Sequence, residues 1–172
     1  MPPVTPRDCP CRSQLRYAAC CRPFHRGDAS PPTPEALMRS RFSAFALGLG
    51  DYLVDTLATT HPDRAAPREA LARELSRVRV TQRFTGLWVL QATTGEGEHG
   101  QVLFHARVFE DGRGRSRSLD RSFVELSDFV CEAGAWRYAS GVLLPAQAFG
   151  DDVSSLTSES FLARVAAANG GE

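Results

Sequence analysis

Apolar positions recur at helical spacing in the first half of this chain and alternate with polar ones in the second. Leu37, Arg41, Ala44 and Phe45 fall on one stripe, which predicts a helix from Pro34 or Glu35 to Leu47. Thr33 is a good N-cap and Pro34 suits the first helical position. Gly48 and Gly50 end or kink this helix, and a short one follows over 51–59 with Tyr52, Leu53 and Leu57. Pro67 opens a third to about Ser76, its inner face made by Leu71, Leu75 and Val78. From Arg79 the period changes to two. Strands are predicted over 79–92, bent at Gly86, and over 101–110, 119–132 and 136–143. The connections are glycine-rich turns and a polar hairpin loop carrying Arg113, Arg115 and Arg117. A last helix near 157–168 holds Phe161, Leu162 and Val165 and stops at Asn169-Gly170.

Helices first and four consecutive strands afterwards define an α+β fold with an antiparallel meander. Long strands with an internal glycine are expected to curl, and the preceding helices to cover the concave face.

The first thirty-four residues do not fit this pattern. They lack a core-forming apolar set, yet hold Cys9, Cys11, Cys20 and Cys21. Four thiolates are what a closed tetrahedral zinc site needs. Disulfides and a redox pair are the competing readings. No apolar stretch after Met1 resembles a signal peptide, so a reducing, cytoplasmic setting is expected. There is no C-x-x-C, and adjacent Cys20 and Cys21 would form only a strained bond. His25 lies close enough in sequence to replace one thiolate, a point the pattern leaves open. The linker 28–34 (DASPPTP) cannot be helical. Residues 1–34 therefore read as a zinc knuckle (9–27) and linker, with a frayed segment 1–8 at their start, and residues 35–172 as an α+β body.

At 172 residues the chain fits one ordinary domain with a small appendage. Its 20 basic residues are all arginine and balance 20 acidic ones. Residues 1–41 nevertheless carry a formal +4 before any metal-thiolate charge. The surplus arginines either screen the anionic centre or meet phosphate or an acidic partner. No apolar run is long enough for a transmembrane helix. A phosphate loop, a zinc-protease helix, a nucleophile elbow and a dinucleotide fingerprint are all absent.

Polar residues in apolar surroundings are the remaining candidates. Arg41 sits on the apolar stripe of the first long helix, Arg107 and Glu125 lie mid-strand, and His61 precedes a proline in a turn. Antiparallel pairing could bring Arg107 and Glu125 together, either as a buried lock between helix and sheet or as an anion pocket with a carboxylate base. Tyr52, Trp88, Trp136 and Tyr138 read as core, and Cys131 as a small buried hydrophobe.

The elements Cys9-Pro10-Cys11 with Cys20-Cys21, the run Leu37-Met38-Arg39-Ser40-Arg41-Phe42, Asp51-Tyr52-Leu53, His61-Pro62, Ala106-Arg107, Glu125, Ser127, Phe129, Trp136 and Tyr138 resemble those of the bacterial YchJ family, in its order. The resemblance implies a SEC-C-like zinc motif, also found on the translocation motor SecA. It implies a nuclear-transport-factor-2-like body as well, a curved cone of sheet wrapped by helices. Arg12 and Gln14 stand where the SEC-C pattern usually has glycine.

The first expectation is a Zn²⁺-binding adaptor that uses its knuckle to contact a protein or ribonucleoprotein, with homodimerisation through the body also allowed. The alternative is a small-molecule binder or enzyme whose cone pocket is built from Arg41, Tyr52, His61, Arg107 and Glu125. A closed four-cysteine site offers no open coordination position, which inclines the reading away from catalysis.

Overall fold

The computed structural model describes residues 7–93, 96–112, 114 and 117–171. Arg113 and Arg115 of the expected hairpin loop, and residues 1–6 of the expected frayed segment, lie outside the described residues.

The knuckle contains a 3-10 turn, Tyr17–Ala19, and helix α1, Arg22–Arg26. Helix α2, Pro34–Leu47, begins as its sequence dictates: the Thr33 hydroxyl accepts from the Ala36 amide at 3.1 Å. It ends at Gly48, whose φ of 71° is left-handed. Helix α3, Gly50–Asp55, packs on α4, Arg68–Thr81. Their shared apolar patch is Val54, Leu57, Leu71 and Ala72. A 3-10 turn, Pro62–Ala65, lies between them.

Helix α4 outlasts its prediction by a turn. The alternation Arg77-Val78-Arg79-Val80 imitates a strand, but Val80 is 72% exposed and belongs to no buried face. Arg79 instead reaches back to the Leu47 carbonyl at 2.9 Å, holding the last turn of α4 beside the end of α2.

The sheet has strands β1 (Gln82–Ala92), β2 (His99–Glu110), β3 (Leu119–Asp120), β4 (Phe123–Glu132) and β5 (Ala135–Pro145). All its pairings are antiparallel, in the order β1-β2-β4-β5, with the short β3 pairing only with β2. The predicted 119–132 strand is thus broken at Arg121-Ser122. Ala133 (φ 49°) and Gly134 (φ 79°) form the tight β4–β5 turn, a conformation matched to the strand twist.

The expected curved cone is not found. The sheet is open, with β1 and β5 as its outer strands, and is neither closed nor strongly curled. Four long strands are too few to meet, since closure around side chains takes about eight. Both faces are also covered, which a cone wrapped on one side would not require. On one face Val102, Phe104, Ala106, Val108 and Phe129 pack with Leu37, Met38 and Phe42 of α2. On the other, Leu103, Val124 and Leu126 meet Phe149 and Phe161. The last two come from a pair of 3-10 turns within Ala146–Ser155, bent at Gly150, and from helix α5, Ser158–Asn169. Thr157 and Ser160 form a reciprocal capping box at the start of α5. Burying a side chain such as Phe161 is worth about 1.5–3 kcal/mol, so the C-terminal segment holds its face of the sheet.

The knuckle shares the first cluster: Cys9, Cys11, Tyr17 and Cys21 are buried with Leu37, Met38 and Phe42. No helix among the described residues is long and apolar enough to cross a membrane.

Candidate functional site

The four N-terminal cysteines converge because the chain folds back twice. Cys9 N donates to the Leu15 carbonyl at 2.9 Å and Arg12 N to the Cys9 carbonyl at 3.1 Å, closing a small loop around Cys11. That loop puts Arg12 at φ 62° and Gln14 at φ 68°. The left-handed backbone for which glycine is suited is therefore kept here without glycine. The 3-10 turn then delivers Cys20 and Cys21 against the first pair.

All four Sγ atoms lie within 4.8 Å of one another. Cys11 and Cys20 are 3.6 Å apart, Cys20 and Cys21 3.9 Å. Four sulfurs on one tetrahedral ion at the usual Zn–S length of about 2.3 Å would be separated by about 3.8 Å, so the set fits such an ion. Its electrostatics point the same way. Burial, and then the neighbouring Cys11 sulfur, push the Cys20 thiol up to about 11 despite its bond with Ser13. Hydrogen bonding to Cys11 and Cys9, with burial, raises Cys21, while hydrogen bonds with Cys21 and Cys9 hold Cys11 low. Four crowded, buried thiols resist ionising together, and a divalent cation is what would let all four do so.

A ring of polar groups supports the sulfurs. Ser13 Oγ lies 3.2 Å from Cys20 Sγ, and Ser43 Oγ donates to Cys21 Sγ at 3.4 Å. Ser43 Oγ is also 3.6 Å from Cys9 Sγ, and Arg39 donates to the Cys11 carbonyl at 2.9 Å. Outer contacts of this kind orient ligands. His25 stands apart from the sulfurs: its ring nitrogens are 2.7 Å from the Tyr17 hydroxyl and 2.8 Å from the Ser40 carbonyl.

The opposite side of α2 faces a cavity of about 430 Å³. Met38, Phe42, Phe84, Phe104, Phe123 and Phe129 make much of its wall. Three of the predicted pocket residues meet there: Arg41, His61 and Glu125. Arg41 donates through Nη1 to the Leu53 carbonyl at 2.8 Å and to Thr56 Oγ1 at 2.5 Å, with the Tyr138 ring 4.8 Å from its guanidinium carbon. Burial pushes its pKa down to about 10, against the nearby Tyr138, Tyr52 and Glu125. Glu125 Oε1 accepts from Ser127 at 2.7 Å and Tyr138 at 2.9 Å. His61 Nδ1 accepts from the Asp63 amide at 3.2 Å, a capping bond.

The other two lie elsewhere. Tyr52 is on the knuckle side of α2, its hydroxyl 2.7 Å from Ser40 Oγ, which itself donates to the Leu37 carbonyl. Arg107 is on the opposite sheet face from Glu125, because β2 pairs Phe104 with Glu125 and Ala106 with Phe123. It is exposed and packs 5.0 Å from the ring of Trp88, itself 43% exposed rather than core.

Ser127 and Tyr138 were missed as pocket residues. Ser127 carried a usable signal, since it follows Glu125 at the strand period. Tyr138 did not, because an aromatic in a strand reads equally as core. Cys131 is half-buried at the edge of the first cluster.

The family model described as "YchJ, middle NTF2-like domain" matches residues 33–141. The UPF0225 protein of Deinococcus radiodurans is 56% identical over 138 residues, 80% of this chain and 88% of that one. The UPF0225 protein of Sodalis glossinidius is 40% identical over 134 residues, 77% of this chain and 81% of that one. The solution structure of a SEC-C motif containing protein from Rhodopseudomonas palustris is similar at a TM-score of 0.63 and 33% identity, covering 78% of this chain and 96% of that one.

Proposed function

The chain belongs to the YchJ family, and from that premise we propose that it is a zinc-binding adaptor. Residues 1–34 form the knuckle and linker, and residues 35–172 the body on which the knuckle is docked. The observation that carries this reading is the mutual approach of four sulfurs within 4.8 Å. Cys9, Cys11, Cys20 and Cys21 would hold the ion. When bound, it would neutralise the thiolates and fix the loop, and a closed four-sulfur shell leaves it a structural part.

The partner is a protein or ribonucleoprotein met through the exposed arginines around the knuckle. Arg7, Arg12 and Arg16 are exposed, and among the described residues none of the three forms an ion pair. The likeness to SEC-C motif proteins favours macromolecular contact.

Two experiments test this. Protein purified without added zinc should carry one zinc per chain. No bound metal, or disulfides among the four positions in native material, overturns the site, and iron overturns the identity of the ion. Sedimentation with ribosomes should occur at low salt and be lost in an Arg12→Glu, Arg16→Glu variant that keeps its metal. Sedimentation unaffected by those changes overturns the proposed contact surface.

One observation favours a second reading, a small-molecule binder. The cavity of about 430 Å³ lies within the size range of ligand sites, about 300–1,000 Å³. Titration of the full chain with naphthalene-sized compounds tests it, and no binding would remove it.

A further inference from the structure

Arg41 and Glu125 are only 8% and 9% exposed, and both line the cavity. Yet they do not pair: among the described residues Arg41 has no carboxylate oxygen within 4.0 Å. Its side-chain hydrogen bonds all leave from Nη1. Those of Glu125 all arrive at Oε1. Among the described residues Nε, Nη2 and Oε2 are therefore without hydrogen-bond partners. Among the described residues no fully enclosed side-chain nitrogen or oxygen lacks a partner, so these three atoms are not sealed in. They open on the cavity.

The cavity thus has two unlike regions. Much of its wall is aromatic and apolar, from Phe42, Phe45, Phe84, Phe104 and Phe123. Its polar pole offers guanidinium donors and a carboxyl acceptor, of opposite charge, with no hydrogen bond between them. A ligand that satisfies both must present an acceptor and a donor side by side. A carboxylate ligand satisfies only Arg41, and brings a second negative charge to Glu125 in surroundings of low polarity.

We infer that this cavity binds a neutral, ring-bearing apolar molecule by an end that carries an acceptor beside a donor, such as a carboxamide or a hydroxyketone. The acceptor faces Arg41 and the donor faces Glu125 Oε2, while the ring body fills the phenylalanine wall. This rests on the second reading above and adds the ligand's chemistry to it.

The test uses three probes of one shape on the full chain, measured by calorimetry: 2-naphthamide, 2-naphthoate and 2-ethylnaphthalene. The amide should bind about tenfold more tightly than either of the others. In Glu125→Gln the side-chain carbonyl still accepts from Ser127 and Tyr138, but Oε2 becomes a donor and Arg41 the lone charge. Preference should then pass from the amide to the naphthoate. Val78→Trp, which fills the cavity from α4, should abolish binding of all three.

Equal binding of amide and hydrocarbon overturns the inference while leaving a binding cavity. So does a preference for naphthoate in the unaltered protein, or unchanged selectivity in Glu125→Gln. Binding that survives Val78→Trp places the probes elsewhere and overturns it too. No binding of any probe overturns both the inference and the second reading.

Discussion

His25 and Ser40 clasp the knuckle to α2: the imidazole Nε2 donates to the Ser40 carbonyl at 2.8 Å. A carbonyl can only accept, so this bond fixes the neutral ring's proton on Nε2 and leaves Nδ1 to accept from the Tyr17 hydroxyl. The ring edge also meets Tyr52, with centroids 4.7 Å apart. His25→Ala removes both bonds and strands the buried Tyr17 hydroxyl. It should lower stability by about 1–3 kcal/mol in urea unfolding while metal content stays at the level of the unaltered protein. Loss of metal in this variant would make His25 a ligand after all.

Metal removal should be felt well beyond the loop. Cys9, Cys11 and Cys21 share one apolar cluster with Leu37, Met38 and Phe42. A strong chelator, or Cys20→Ser, is expected to lower the calorimetric transition of the whole chain by several kcal/mol, a part of the roughly 10–16 kcal/mol that such sites supply in isolated peptides. An unmoved transition, with amide exchange increased only over residues 7–27, would make knuckle and body thermally independent.

Arg12 and Gln14 hold left-handed backbone at φ 62° and 68°, at a cost of about 1–2 kcal/mol for each residue with a Cβ. Both side chains are exposed, so little packing is lost on removing them. The double variant Arg12→Gly, Gln14→Gly should release metal to a colorimetric chelator more slowly and raise the melting temperature. Faster release would mean that glycine's extra freedom in the unfolded chain outweighs the relieved strain.

Much of this architecture was legible beforehand. The limits of α2 follow from Thr33 and Gly48, the end of α5 from Asn169-Gly170, and both helices from their periodicity, and the four cysteines announced themselves by type and number. The end of α4 was not legible, because valines at alternate positions carry the signature of a strand whatever they become. Nor was the two-sided covering of the sheet, since the 146–155 segment is bent at Gly150 and touches the sheet through a single buried anchor, Phe149. The separation of Arg107 from Glu125 depended on register. Whether residue 106 or 107 shares the face of residue 125 is a one-residue matter that sequence pattern cannot fix.

Gly50 marks the closest approach of α3 to α4. A Cβ there would run into the Ala72 carbonyl and the Ser76 hydroxyl, the latter already accepting from the Gly50 amide at 3.0 Å. Gly50→Ala should destabilise the fold by about 1–3 kcal/mol in denaturant unfolding. An effect below a few tenths of that would show that the two helices part without resistance.

His105 gives a pH signature. Burial, and then the Arg107 charge, hold its pKa below the usual 6.5, against the weaker pull of Asp120. Trp88 stacks on the ring at 5.0 Å. The unfolded chain therefore takes up this proton first as pH falls. The stability due to neutral His105 is complete above about 6.5 and is lost as pH drops through that value toward the folded pKa. His105→Asn should flatten the decline in melting temperature between about pH 7 and pH 5 relative to the unaltered protein. A variant with the same slope would show that His105 does not contribute.

Helix α2 gives Ser40 and Ser43 to the knuckle side and Met38, Arg41 and Phe42 to the cavity. Turning it about its long axis would improve neither contact without spoiling the other, so the two sites act as opposing stops on a single shaft. Redesign of either one must therefore begin from a helix whose roll is already set by its neighbour.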